Sequence, residues 1–265
     1  MCLLSHEIAG ARERAQDFAP GLIASIGCLT VAIAGTNGKG TTARMIRKLL
    51  TSNHRETVIA EGHPQHFDTA VARTKEMDFL ILKLDAVQIE ALESFRPTVA
   101  VLMNVAPDRF DFYASEKDYV HAMAGLFRNQ ESFDWAVVQH EALARIHELG
   151  LAVPAKTITF SSIDTSADLH LDRGLLISRI PNWSGPLLDM DHCQVRGPHN
   201  AENLMAALAT GHVLRLPLER MVEPLKTFAA GRHHFELVAE INGVQFIDDS
   251  KARNPDALKK ALLAR

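Results

Sequence analysis

The chain has 265 residues, 47% of them hydrophobic and 23% charged, enough to bury a sizeable core in one large α/β domain or two small ones. Its formal net charge is −4 with no dense Lys/Arg block, which argues against nucleic acid or an anionic membrane as partner. No apolar run is long enough to span a bilayer, and Met1 to Ala9 lacks the order of a signal peptide. Cys2, Cys28 and Cys193 give neither a disulfide framework nor a zinc spacing, so the expected setting is a reducing cytoplasm. No His-x-x-x-His or His-Glu-x-x-His pattern links the 13 histidines into a metal site.

In chain order, Ile8, Ala11, Ala15 and Phe18 predict a short lead-in helix within residues 1–27, ended by Pro20. A strand over 28–34 then breaks into Gly35-Thr36-Asn37-Gly38-Lys39-Gly40-Thr41-Thr42. Ala43, Met45, Ile46, Leu49 and Leu50 follow at helical spacing, so a helix starting near Lys39 aims its positive end at the turn. A strand, a glycine turn, a Lys, two hydroxyls and a helix together point to a nucleotide phosphate cradle. In that cradle Lys39 reaches the β/γ-phosphates and Thr41 holds Mg²⁺. The standard phosphate loop carries a Gly separated by four residues from its Gly-Lys pair; Ile33 stands there, so this is a shortened variant.

Further strands are expected at 79–84, 98–105 and 135–139, with helices at 115–128 and 141–149. Such alternation predicts an α/β fold, a mainly parallel sheet flanked by helices. The short β-like pieces at 157–161 and 175–180 predict a small antiparallel edge. Helices follow at 200–214 and 218–229, and Gly231 marks a hinge. Asn242-Gly243, flanked by alternating residues 235–240 and 244–247, predicts a β-hairpin, and 254–264 a last helix.

Four separated blocks carry a resemblance: residues 35–42; Asn104-Val105-Ala106-Pro107-Asp108-Arg109-Phe110-Asp111; Gly197-Pro198-His199-Asn200-Ala201-Glu202-Asn203; and Asp248-Asp249-Ser250-Lys251-Ala252-Arg253-Asn254. In order and approximate spacing they resemble the Mur ligase family of peptidoglycan biosynthesis. The loop is also similar to that of folylpolyglutamate synthases, but the last block favours the D-glutamate-adding branch. The resemblance covers roughly residues 28–262 and implies three parts: the lead-in, an ATP-binding central domain at 28–230, and the beginning of the family's C-terminal domain at 231–265. It leaves the family's N-terminal UDP-sugar domain without a counterpart.

The resemblance implies ATP-dependent amide formation through an acyl phosphate. ATP would contact Thr36, Asn37, Gly38, Lys39, Gly40, Thr41 and Thr42 at the phosphates, and Asn200 and Asn203 at the base. His234 stands where the family has an Arg near the γ-phosphate, Asp249 lies in the interdomain block, and Lys251 either touches a phosphate or carboxylate or is solvated. Taken alone, Asn200 also has the reading of an ordinary helix N-cap, which the surrounding block makes the lesser one. The family's metal shell is substituted. Lys83 stands at the metal-binding Glu, Arg109 at the His, and Met123, or a residue beside it, at the carbamoylated Lys. Neither a cation nor a thioether ligates Mg²⁺. Asp85, two residues from Lys83 and on the same face if the strand continues, takes over Mg²⁺, pairs with Lys83 or caps a helix. Lys83 and Arg109 alternatively give positive charge directly to the phosphates.

Three functions fit these residues: an active ligase completed by a partner chain or homodimer, a pseudo-ligase that binds nucleotide without chemistry, and an interaction module independent of nucleotide.

Overall fold

The computed structural model describes residues 25–62, 64–106, 113–231 and 236–250, with 252, 254, 255 and 258. The predicted lead-in helix and most of the predicted last helix lie outside the described residues, as do Arg109, His234 and Lys251.

Leu-Thr-Val-Ala-Ile-Ala forms β1 (Leu29–Ala34) without polar alternation, because both of its faces are covered. Val31 and Ile33 point into one apolar layer, Ala32 and Ala34 into the other. The same division runs through β2 (Thr57–Ala60), β3 (Phe79–Lys83), β4 (Val99–Leu102) and β5 (Trp135–Gln139). With β6 (Lys156–Ser161), β7 (Leu169–Asp172), β8 (Leu175–Ser178) and β9 (Gly185–Asp189) they make a nine-stranded sheet in the order β2-β3-β1-β4-β5-β6-β7-β8-β9. Pairing is parallel from β2 to β7 and antiparallel from β7 to β9. The antiparallel edge therefore starts later than expected: β6 lies parallel to β5 and continues the main sheet.

Helices α1 (Lys39–Ser52), α2 (Pro64–Ala72), α3 (Ala86–Ala91), α4 (Glu116–Ala124), α5 (His140–Glu148), α6 (Pro198–Val213) and α7 (Leu218–Lys226) flank the sheet. Helices α1, α6 and α7 share the layer of Val31, Ile33, Val101 and Phe160. Residues of α2 to α5 share the layer of Ala34, Leu82, Leu102 and Val138. Because α6 is buried along most of its length, its Ala and Leu residues pack on every side instead of forming one stripe. Helix α7 stops at Lys226, three residues before its expected end, with Pro224 already inside its last turn.

The chain then forms a separate two-stranded sheet, β10 (Glu236–Ile241) and β11 (Val244–Asp248). Asn242 and Gly243 both take positive φ, 53° and 79°, as a type I′ hairpin turn requires. Among the described residues no helix is long and apolar enough to cross a membrane.

In the main sheet β1 lies between β3 and β4, and the chain leaves its C-terminal end toward α1. In open α/β sheets ligands collect beyond the carboxyl ends of strands, where the strand order reverses.

Candidate nucleotide-binding site

The turn at that end is fixed by two glycines. Gly35 has φ +137°, and a Cβ on it would lie 2.9 Å from Met103 Cβ and 3.0 Å from the Asn104 nitrogen. Gly38 has φ +86°, caps α1, and would bring a Cβ to 2.5 Å from Asn203 Oδ1. Gly40 differs: a Cβ there would meet nothing within 4 Å, so its lack of a side chain leaves open space over the first turn of α1. No side chain caps α1, and its first turn holds no acid. The leading N–H groups and the positive end of a 14-residue helix are thus arranged as an anion site. Lys39 folds back over the loop, its Nζ donating to the Gly35 carbonyl and, at 3.3 Å, to that of Thr36.

Asn104, at the exit of β4, clamps the loop from below. Its carbonyl accepts from the Thr36 N–H at 3.0 Å and its Oδ1 from the Asn37 N–H at 2.8 Å, while its Nδ2 donates to the Asn37 carbonyl at 3.1 Å. The Thr36 hydroxyl accepts from the Ala106 N–H at 2.9 Å, donates to the Ala106 carbonyl at 3.2 Å and lies 3.2 Å from the Tyr119 hydroxyl. The N–H groups of Thr36 and Asn37 are therefore turned into the protein. Gly38 to Thr41 follow as the N-cap and first turn of α1. Sequence reasoning quoted Asn104 within a block without giving it a role, although a lone amide ending an apolar strand was the available signal.

Helix α6 meets this loop. Gly197, with φ +85°, is its N-cap and Pro198 follows, so Asn200 lies inside the first turn and is no N-cap. Asn200 Nδ2 donates to the Arg196 carbonyl at 2.8 Å and lies 3.0 Å from His199 Nε2. Asn203, 4% exposed, accepts from the Thr42 hydroxyl at 3.1 Å and donates to Asn200 Oδ1 at 3.1 Å. The oxygen of its amide thus joins α6 to α1, and the nitrogen ties it to Asn200 within α6. Next to it the buried Glu202 accepts from Gln139 Nε2 at 3.1 Å and Ser162 Oγ at 2.8 Å, a contact with no forewarning in the sequence.

Of the substituted metal positions, Lys83 and Met123 lie among the described residues. Strand β3 ends at Lys83, so Asp85 does not share a strand face with it. Asp85 caps α3 in a reciprocal box: Gln88 N–H donates to Asp85 Oδ1 at 2.9 Å, and Asp85 N–H to Gln88 Oε1 at 2.9 Å. The partner of Lys83 is Glu61, just beyond β2, with side chains 29% and 52% exposed. Met123 is buried in α4 among apolar neighbours. Among the described residues no group of three or more His, Cys, Asp or Glu could hold a metal ion. The described side chains therefore offer no protein-built Mg²⁺ cage, and the half-buried Thr41 is the hydroxyl at the loop that would fit a Mg²⁺ carried on phosphate oxygens. Asp249 is half-buried at the end of the hairpin, its carbonyl accepting from Ala252 N–H at 2.8 Å.

Comparison with known proteins agrees with this architecture. The family model of the Mur ligase middle domain matches residues 33–211. UDP-N-acetylmuramoylalanine--D-glutamate ligase of Desulfitobacterium hafniense (strain DSM 10664 / DCB-2) is 31% identical over 236 residues, 88% of this chain and 52% of that protein. The chain thus spans about half the length of the curated relatives it matches. MurF from Acinetobacter baumannii superposes with a TM-score of 0.72 at 17% identity, over 97% of this chain and 58% of that one. MurF ligase from Thermotoga maritima in complex with ADP does so with 0.70 at 17% identity, over 97% and 61%. At such identity the structures speak for the fold alone. The extent of the family match and the D-glutamate ligase identity make this chain a member of the Mur ligase family through its middle domain.

Proposed function

We propose that this chain binds ATP as the central domain of a Mur-type ligase, with residues 28–230 forming that domain and 231–265 beginning the next, in the cytoplasm. One observation carries the reading: an uncapped, acid-free N-terminus of α1 behind a loop whose Gly35 and Gly38 cannot accept side chains. Lys39 would leave the carbonyls of Gly35 and Thr36 for the β- and γ-phosphates, Gly40 would let them approach, and Thr41 would meet their Mg²⁺. Asn200 would stand at the base, with Asn203 holding it in place. Lys251, Asp249, His234 and Arg109 are the candidates for the γ-phosphate and acceptor side.

The activity class is ATP-dependent amide formation. A substrate carboxylate takes the γ-phosphoryl group with loss of ADP, and an amine then displaces inorganic phosphate. The protein's share in such chemistry is charge neutralisation and alignment. Acid, amine and the surfaces that relatives carry in the rest of their length would come from further polypeptide, a partner chain or a second copy.

A second reading, a pseudo-ligase that holds nucleotide without transfer, is favoured by the Lys83–Glu61 pair and by the use of Asp85 as a cap. Calorimetry of ATP binding with and without Mg²⁺, on wild type and Lys39→Ala, tests the site. Loss of a charge-assisted contact predicts affinity lower by about 10- to 100-fold in Lys39→Ala. Unchanged affinity would sink the assignment. Release of phosphate in the presence of acid and amine candidates separates ligase from pseudo-ligase.

A further inference from the structure

We propose that Asn254 is a positioning residue of the phosphate loop, latching the segment after β11 onto Asn37 so that nucleotide occupancy and the placement of the C-terminal hairpin are coupled. The coupling to nucleotide rests on the ATP-binding reading above; the latch itself does not.

The side-chain amides of Asn37 and Asn254, 217 residues apart, pair reciprocally. Asn254 Nδ2 donates to Asn37 Oδ1 at 3.0 Å, and Asn37 Nδ2 to Asn254 Oδ1 at 3.4 Å. The backbone of each partner is itself hydrogen-bonded. The two bonds from Asn104 hold the backbone of Asn37. The carbonyl of Asn254 accepts from Leu258 N–H at 3.1 Å, and between it and β11 the chain holds two short-range bonds, Ser250 N–H to Asp248 Oδ1 at 2.9 Å and Ala252 N–H to Asp249 O at 2.8 Å.

On the other side of the hairpin in sequence, Gly231 lies against α1, the helix that follows the loop. A Cβ on Gly231 would collide with Arg44 Nη1, so the Arg44 guanidinium lies directly on the Gly231 backbone. Arg44 also donates from Nε to the Gly40 carbonyl at 3.3 Å and stands 6.0 Å above the Phe228 ring. The strands between these two points are open: Leu237, Val238, Ile241, Val244 and Phe246 are 49–58% exposed. Gly231 before the hairpin and Asn254 after it thus touch Arg44 and Asn37, while these apolar side chains of its strands stay exposed. Arg44 and Asn37 both belong to the loop-and-helix unit that would receive the phosphates. Any shift of that loop on binding is passed to the hairpin through the amide pair, and by linkage the hairpin acts back on the loop with the same factor.

A reciprocal amide pair needs a donor and an acceptor on both sides, so truncating either partner removes both bonds at once. The decisive experiment is a double-mutant cycle, Asn37→Ala, Asn254→Ala and the pair together, read by hydrogen–deuterium exchange of peptides covering 236–258 in the absence of nucleotide. Each single variant should speed exchange there about three- to tenfold, the double variant no further, and peptides of β1 and β4 should stay protected as proof of fold. Additive effects, or exchange unchanged by either substitution, would overturn the latch. Repeated with ATP and Mg²⁺, the wild type should gain protection in the same peptides and lose the gain in both single variants. If wild-type calorimetry shows no ATP binding, the functional reading fails while the nucleotide-free cycle still decides the latch; if ATP binds and leaves the hairpin peptides unaltered, the coupling fails alone.

Discussion

Replacing Asn104 by Ala should loosen the phosphate loop without touching any residue that faces a ligand. Asn104 is 6% exposed, and the substitution removes two hydrogen bonds, the 2.8 Å bond from the Asn37 N–H and the 3.1 Å bond to its carbonyl. A net bond is worth about 1 kcal/mol, and a partly buried N–H left without an acceptor adds roughly another, so the loss is about 2–3 kcal/mol. Unfolding entropy of about 2.1 cal/mol/K per residue makes each kcal/mol worth about 2 °C in a chain of 265 residues, so melting should fall by about 4–6 °C. ATP affinity should fall with it, about three- to tenfold, because the loop must be re-ordered on binding. Asn104→Asp separates the two effects. It keeps the acceptor for Asn37 N–H but sets a carboxylate under the phosphates, so melting should drop less while affinity drops about tenfold or more. Differential scanning calorimetry and ATP titration of the three proteins check this. An Asn104→Ala protein with wild-type melting and affinity would refute the clamp.

The two loop glycines should separate in the same assays. Gly38→Ala, forced into φ +86° and against Asn203 Oδ1, should cost about 1–3 kcal/mol of stability. Gly40→Ala, in a helical turn with open space around it, should raise stability by up to about 1 kcal/mol yet weaken ATP binding, and unimpaired binding would remove the phosphates from that space. Lys83→Glu puts a second carboxylate beside Glu61 and should make ATP binding more Mg²⁺-dependent than in the wild type; calorimetry across a Mg²⁺ series reads it. His212 stacks on Trp183 at 4.2 Å, and burial lowers its pKa from 6.5. It therefore stabilises the fold as a neutral ring above that value, and melting should fall as pH drops below about 6.5, with a flatter profile in His212→Gln.

What the sequence made legible was local. β1, the loop and α1 follow from glycines, hydroxyls and a Lys at fixed offsets, and the type I′ hairpin from Asn242-Gly243. The cap at Asp85 was equally local, since Asp85 and Gln88 stand at capping-box spacing. The sequence offered that cap as one alternative, and the competing strand-face reading needed β3 to run two residues further than it does. Strand direction is a different matter. Lys156–Ser161 has the same local pattern whether parallel or antiparallel, and only the chain between strands decides. β2, four residues long, is too short for its period to stand out. The Lys83–Glu61 pair needs β2 beside β3, and the burial of Asn203 needs α6 against α1. Neither long-range contact has a periodic signature.

The exchange at Lys83 bears on which part of the family's work this site can retain. Where the resemblance places a carboxylate that holds a divalent ion, the chain has an ammonium, a change of two charges, as large as the charge such an ion brings. The Glu61 carboxylate offsets one of them. That pair is 29% and 52% exposed, and an exposed pair is worth at most about 1 kcal/mol, so a triphosphate can draw Lys83 away from Glu61 cheaply. On the proposed reading the substitution is therefore no electrostatic bar to binding. Transfer asks for more, because charge developing on the oxygens between donor and acceptor must be met in line, and metal ions bridging the phosphates supply that positioning. Lys83 at the end of β3 is a single cation on a flexible stem, able to neutralise but less able to align. If the proposed site holds nucleotide, phosphoryl transfer is thus the step that the exchange at Lys83 puts to the test.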